Sequence, residues 1–204
     1  HMDGGSFVYE ACGVRWASDL GMENYHRIES QGLSLWDGRQ ESDRWNVFRI
    51  GPESHSILRI DGHRQLVGGS AEFRVCAPEQ CLLDLTSLYR KDAQKVLRKL
   101  ELRPDRSLRI TDTLTGVKPG AVVSWQLCTE TVAAPADGQM LLRSGRKTLL
   151  LRKNLPGEWT LVPAQERMYS YDSPNPGAGI VSFDAAVPDE GAVTIVVDFL
   201  PCHD

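Results

Sequence analysis

The chain has 204 residues, 41% apolar and 25% charged, with 23 basic and 27 acidic side chains and a formal net charge of −4. That is ordinary globular composition for one large or two small domains, and it excludes the global basic field that draws nucleic acid or an anionic membrane. No window approaches the roughly 18 consecutive apolar residues of a membrane span, and the N-terminus has no basic segment followed by an apolar one.

Residues 7–11 and 14–17 are strand-like and joined by Cys12-Gly13, a length suited to a two-residue hairpin turn in which Gly supplies a positive φ. Residues 56–60 and 63–67 flank Asp61-Gly62, a strong hairpin signal, and are expected to pair. A single short helical turn is expected near 87–92, because Val96, Arg98, Leu100 and Leu102 alternate as a strand. Further strands are expected at 96–103 and 108–114 around a Pro-Asp turn and at 121–128 after Lys118-Pro119-Gly120. Residues 140–143 should pair with 147–151 across Ser144-Gly145, and the apolar, β-branched run 192–200 closes the series. Residues 169–179, rich in Pro and Gly, predict an exposed loop. About a dozen strands with little helix predict an all-β fold, an antiparallel β-sandwich forming a single domain over 1–204.

The five cysteines, Cys12, Cys76, Cys81, Cys128 and Cys202, form no CxxC pair. Cys76 and Cys81 bracket an Ala-Pro-Glu-Gln turn; they could bridge in an oxidising compartment, but composition favours both as buried small hydrophobes.

Nucleotide-binding loops and the common hydrolase signatures are absent from the sequence. Chemistry therefore falls to histidine and carboxylate. Of His1, His26, His55, His63 and His203, His55 ranks first because it opens a strand; alternation sets it with Ile57 and Arg59, opposite Ser56, Leu58 and Ile60. The plainer reading is a strand-end histidine bonded to a backbone carbonyl. Asp19 follows the strand 14–18, where a carboxylate usually begins a solvated turn. Trp16, Trp36 and Trp45 lie among Arg15, Arg39, Arg44 and Arg49, a mixture that suits sugar rings bearing carboxylate or sulfate and equally suits core Trp beside solvated Arg.

The run from Asp3 through Gly-Gly-Ser-Phe7, Val14-Arg-Trp-Ala-Ser-Asp-Leu-Gly21 and Tyr25, followed by Ser54-His55-Ser56-Ile57-Leu58, resembles the C-terminal β-domain of heparinase II/III-type polysaccharide lyases. Weaker matches are Asp84 to Tyr89, Arg98 leading to Thr111-Asp112, and Val123-Ser-Trp125. The specific matches lie within residues 1 to about 70. Departures are Ser56-Ile57, where many members have Asn-Thr, and Gly4, where Ala or an apolar residue is commoner.

The resemblance implies β-elimination of a uronate-containing polysaccharide, heparan-like or alginate-like, and a zinc ion held by His1, Asp19 and His55. Such a mixed N/O set is chemically sensible for zinc. His1-Met2 also has the letters of a cloning remnant, so His1 carries two readings. Elimination requires neutralising the C5 carboxylate, removing the C5 proton and protonating the leaving oxygen. In the family most of these groups come from a preceding helical toroid and a His just upstream of residue 1. The chain is therefore expected to be an inactive fragment that supplies one wall of the cleft, with Arg15, Trp36 and Arg39 as substrate contacts. Its expected partners are an acidic polysaccharide and the helical domain of the same protein, with no nucleic acid or membrane. Export to the periplasm or beyond is also implied. Two alternatives remain: a non-catalytic carbohydrate-binding sandwich and a scaffolding domain.

Overall fold

The structure, a computed structural model, describes residues 1–167 and 169–202. Strands β1 (Tyr9–Ala11) and β2 (Val14–Ala17) form a separate hairpin. Its turn holds Cys12 at φ 53° and Gly13 at φ 70°, the double positive φ that a two-residue turn needs to match the strand twist. A short helix, α1 (Tyr25–Glu29), follows, capped by Asn24 accepting from the Arg27 amide; helical spacing in this segment was too brief to anticipate it.

The remaining strands are β3 (Leu58–Ile60), β4 (Glu72–Ala77), β5 (Gln80–Asp84), β6 (Lys95–Leu102), β7 (Leu108–Thr115), β8 (Val122–Thr129), β9 (Val132–Ala136), β10 (Gln139–Ser144), β11 (Lys147–Lys153), β12 (Thr160–Pro163), β13 (Gly179–Ala186) and β14 (Ala192–Cys202). Eight lie in one sheet, ordered β4-β5-β6-β7-β14-β11-β10-β9, and four in a second, ordered β12-β13-β8-β3. The strand pairings are antiparallel. The fold is thus the expected all-β sandwich.

Its core forms because alternate residues of both sheets are apolar. Val96, Ile110, Leu149, Leu151, Ile195 and Val197 of the large sheet share a buried cluster with Leu58, Val123, Trp125, Leu127 and Phe183 of the small one. Phe199 and Trp125, with ring centroids 6.3 Å apart, join the two layers. Among the described residues no helix is long and apolar enough to cross a membrane.

Three expectations are corrected. The Asp61-Gly62 turn forms, with positive φ at both residues and the His63 amide bonded to the Ile60 carbonyl. Its flanks do not pair, however: β3 lies on β8, matching Leu58 with Trp125, while Leu66 bonds backbone to Leu88. Burying Leu58 and Ile60 against the second sheet outweighs the local turn preference. The helical turn expected at 87–92 is a 3-10 turn at Thr86–Leu88. Of the cysteines, Cys128 is buried, but Cys76 is exposed and Cys81 only half-buried, because their hairpin is the overhanging edge of the larger sheet.

Residues 18–54 build an annex with its own core of Met2, Ile28, Leu35, Trp45, Val47 and Ile50. Met2 is buried and its amide donates to the Ile50 carbonyl at 2.8 Å, so the first residues are woven into the annex.

Candidate metal centre

Three chain segments meet where the annex joins the sandwich. The first is the N-terminal segment. Gln65 bonds both the amide and the carbonyl of Gly4, at 3.0 and 2.8 Å. A Cβ at Gly4 would fall 2.4 Å from Leu88 Cδ1, so a side chain there would require Leu88 to shift. Gly5, at φ +84°, turns the chain toward β1. The segment so held carries His1 and Asp3.

The second is the end of β2, tied to the small sheet by the Ser18 amide on the Cys128 carbonyl at 2.9 Å. Asp19 comes next and accepts from the Gly21 amide at 2.7 Å, the solvated turn the sequence suggests.

The third precedes β3. A 3-10 turn at Pro52–Ser54 delivers His55, and the Ile57 amide bonds back to the His55 carbonyl at 3.0 Å. That tight turn breaks the expected alternation, so His55, Ser56, Ile57 and Leu58 are all buried. Ser56 is fully partnered in spite of the departure from Asn: its amide donates to Ser6 Oγ and its Oγ accepts from the Cys128 amide.

His1, Asp3 and His55 each bring a donor atom within 4.8 Å of the others. The His1 and His55 rings are tilted at a centroid distance of 5.3 Å. Asp19 Oδ2 lies 3.2 Å from His55 Nδ1 but outside hydrogen-bond geometry. His55 is 1% exposed, and both its ring nitrogens are buried without a hydrogen-bond partner among the described residues. The plainer reading of His55, a ring bonded to a backbone carbonyl, therefore fails. The neighbouring His55 holds Asp19 below the usual carboxylate range; burial opposes this, and the Gly21 amide reinforces it.

A buried charge, Arg98, bonds the backbone of the same segments. It makes a two-pronged ion pair with Asp112 at 2.7 and 3.0 Å, and its Nη1 donates to the carbonyls of Gly5 and Ser56, both at 2.8 Å. Tyr89 adds a bond to the Leu58 carbonyl at 2.7 Å. These bonds fix the N-terminal segment against the His55 segment.

The proposed sugar contacts are not gathered into this centre. Arg15 is exposed and pairs with Glu10 within the β1-β2 hairpin. Trp36 is 69% exposed; its Nε1 donates to Glu29 at 2.7 Å and its ring meets Tyr25 edge-on. Arg39 is exposed and engaged by Asp37. Trp16 and Trp45 are core residues. No signal in the sequence singles out Asp3 as a donor although it stands two residues after His1, and the Arg98–Asp112 pair carries only a weak resemblance in the sequence.

The two antiparallel sheets and the annex beside them define an all-β sandwich domain. The chain matches the family described as Heparinase II/III-like, C-terminal, over residues 1–192, and it belongs to that family. Its fold is similar to a crystal structure of heparinase III, with a TM-score of 0.69 at 12% identity, covering 98% of this chain and 30% of that one. It is also similar to heparan sulfate lyase HepC from Pedobacter heparinus, with a TM-score of 0.63 at 12% identity, covering 100% of this chain and 31% of that one. No curated protein sequence matches. The chain thus spans under a third of the length of the structures it resembles.

Proposed function

We propose that this domain is the β-half of a lyase that cleaves a uronate-containing polysaccharide by β-elimination, and that it contributes a zinc site and one wall of the substrate cleft. The observation that carries the reading is His55, a buried imidazole with no hydrogen-bond partner on either nitrogen among the described residues, beside His1, Asp3 and Asp19. A buried polar group left unpaired is costly, and a ligand recovers that cost. His1 and His55 would hold the metal together with Asp3, whose donor atom lies within 4.8 Å of both, and with Asp19, 3.2 Å from His55 Nδ1, as the second carboxylate. Two imidazoles and a carboxylate suit zinc. Zinc bound there would cross-link the N-terminal segment, the end of β2 and the approach to β3, a structural role. The cleft wall would be built from the annex, where the exposed Trp36 ring would meet a sugar ring and Arg39 would have to leave its pairing with Asp37 to meet an acidic group.

A second reading, a carbohydrate-binding module without a catalytic half, is favoured by the exposed and oriented Trp36 alone. The two separate on one experiment: titrating heparan sulfate and alginate into the chain, with and without chelator, while monitoring the unsaturated uronate that β-elimination creates. The proposal expects weak binding that depends on Trp36 and loosens when metal is stripped, with no turnover. Turnover by this chain alone would contradict the division of labour between the two halves. Binding indifferent to chelator would favour the module.

A further inference from the structure

The hairpin formed by β4 and β5 has a two-residue turn, Pro78-Glu79, closed by the pair Ala77 and Gln80. The next pair outward is Cys76 opposite Cys81. In an antiparallel ladder, hydrogen-bonded and non-hydrogen-bonded pairs alternate. With the closing pair bonded, the cysteines occupy the non-bonded position, where Cα atoms approach to about 4.5 Å and side chains lie closest. That spacing falls within the range a disulfide spans, roughly 4.4–6.8 Å. The bulge in this hairpin lies between Phe73 and Val75, beyond the pair. Both thiols are free and at least partly accessible. Burial and then the neighbouring Cys76 push the Cys81 thiol up.

We propose that Cys76 and Cys81 form a built-in redox pair that closes to a cross-strand disulfide by exchange with an external low-molecular-weight disulfide. The more exposed Cys76 thiolate attacks one sulfur of the external disulfide and expels one thiolate. The Cys81 thiolate then attacks the Cys76 sulfur and expels the second. The two protein thiols lose two protons and two electrons; the external disulfide takes up both and leaves as two thiols. The bridge pins the outermost strand of the eight-stranded sheet, whose Phe73 and Val75 side chains stand exposed. Strand edges of this kind are where sheets pair with foreign strands, and a bridge across the hairpin restrains that opening.

The test is to equilibrate the 204-residue chain with oxidised and reduced glutathione, then count thiols and map bridges by mass spectrometry, in buffer and in concentrated urea. The expected result is loss of two of the five thiols, a peptide linked through Cys76 and Cys81, and a bridge-forming equilibrium weakened more than about tenfold in urea, since the folded register supplies the proximity. The C12S variant should behave as the parent, and C76S should retain all its thiols or carry only a glutathione adduct. Glutathione adducts on the parent without an internal bridge, a bridge through other cysteines, or equal bridging in urea would each overturn the proposal.

Discussion

Arg98 and His55 are both buried and both bear on the residue pair 55–56, yet the fold treats them differently. Arg98 makes four hydrogen bonds, two to Asp112 and two to the carbonyls of Gly5 and Ser56. His55 makes none through its ring. A buried charge that is fully partnered is a structural rivet; a buried imidazole left open, next to Ser18 and Ser54 hydroxyls that also lack partners among the described residues, is where the proposed ligand would sit. The rivet holds together the same two segments that carry His1 and His55, so the first group positions what the second uses.

The largest expected effect tests the rivet. Asp112→Ala should cost about 3–5 kcal/mol, because it strands the Arg98 guanidinium in the core, and urea unfolding would read it. A cost below about 1 kcal/mol would erase the distinction between the two groups. Next comes the open group: zinc at a hundredfold excess over its Kd should stabilise the parent by about 2.7 kcal/mol in thermal unfolding. His55→Ala should abolish that gain. An equal gain in the variant would place zinc elsewhere.

Acid sharpens the comparison at other carboxylates. Arg109 holds Asp198 below the usual carboxylate range, against burial, with Arg152 helping. At Asp84 burial pushes the other way, but Lys95, Thr86 and Arg74 prevail and lower it. A depressed folded pKa means the stabilisation is complete above the unfolded value of about 3.9 and is lost as pH falls through the folded one. Stability should therefore decline below about pH 4, and Asp198→Asn should make the decline shallower. An acid limb unchanged in that variant would exclude Asp198 from it. Trp36→Ala should show the smallest effect, within about 0.5 kcal/mol, because the ring is exposed; a larger loss would make it a structural residue rather than a free platform.

Strands with strong local signals were legible in the sequence. Cys12-Gly13 forms its hairpin as expected, and β10 and β11 pair as expected, though their turn is Gly145-Arg146 rather than Ser144-Gly145 because Ser144 pairs with Lys147. Asp61-Gly62 shows the limit: the turn is local, but the partner of β3 is chosen by burial against β8, far away in sequence. The same limit governs the site. His55 and Asp19 could be picked from their motifs and do come together. Their environment could not be read, because the turn at His55–Ile57 that buries the ring and the Arg98 bond to Ser56 are products of packing. Cys76 and Cys81 were misjudged as buried for the same reason: whether a strand is an edge depends on the whole sheet.

The most direct measurement is bound metal per chain after dialysis, by elemental analysis, in the parent and in the Asp19→Ala and His55→Ala variants. The account predicts near-stoichiometric zinc in the parent and loss of it in both variants. Zinc absent from the parent, or retained when His55 is removed, would contradict it.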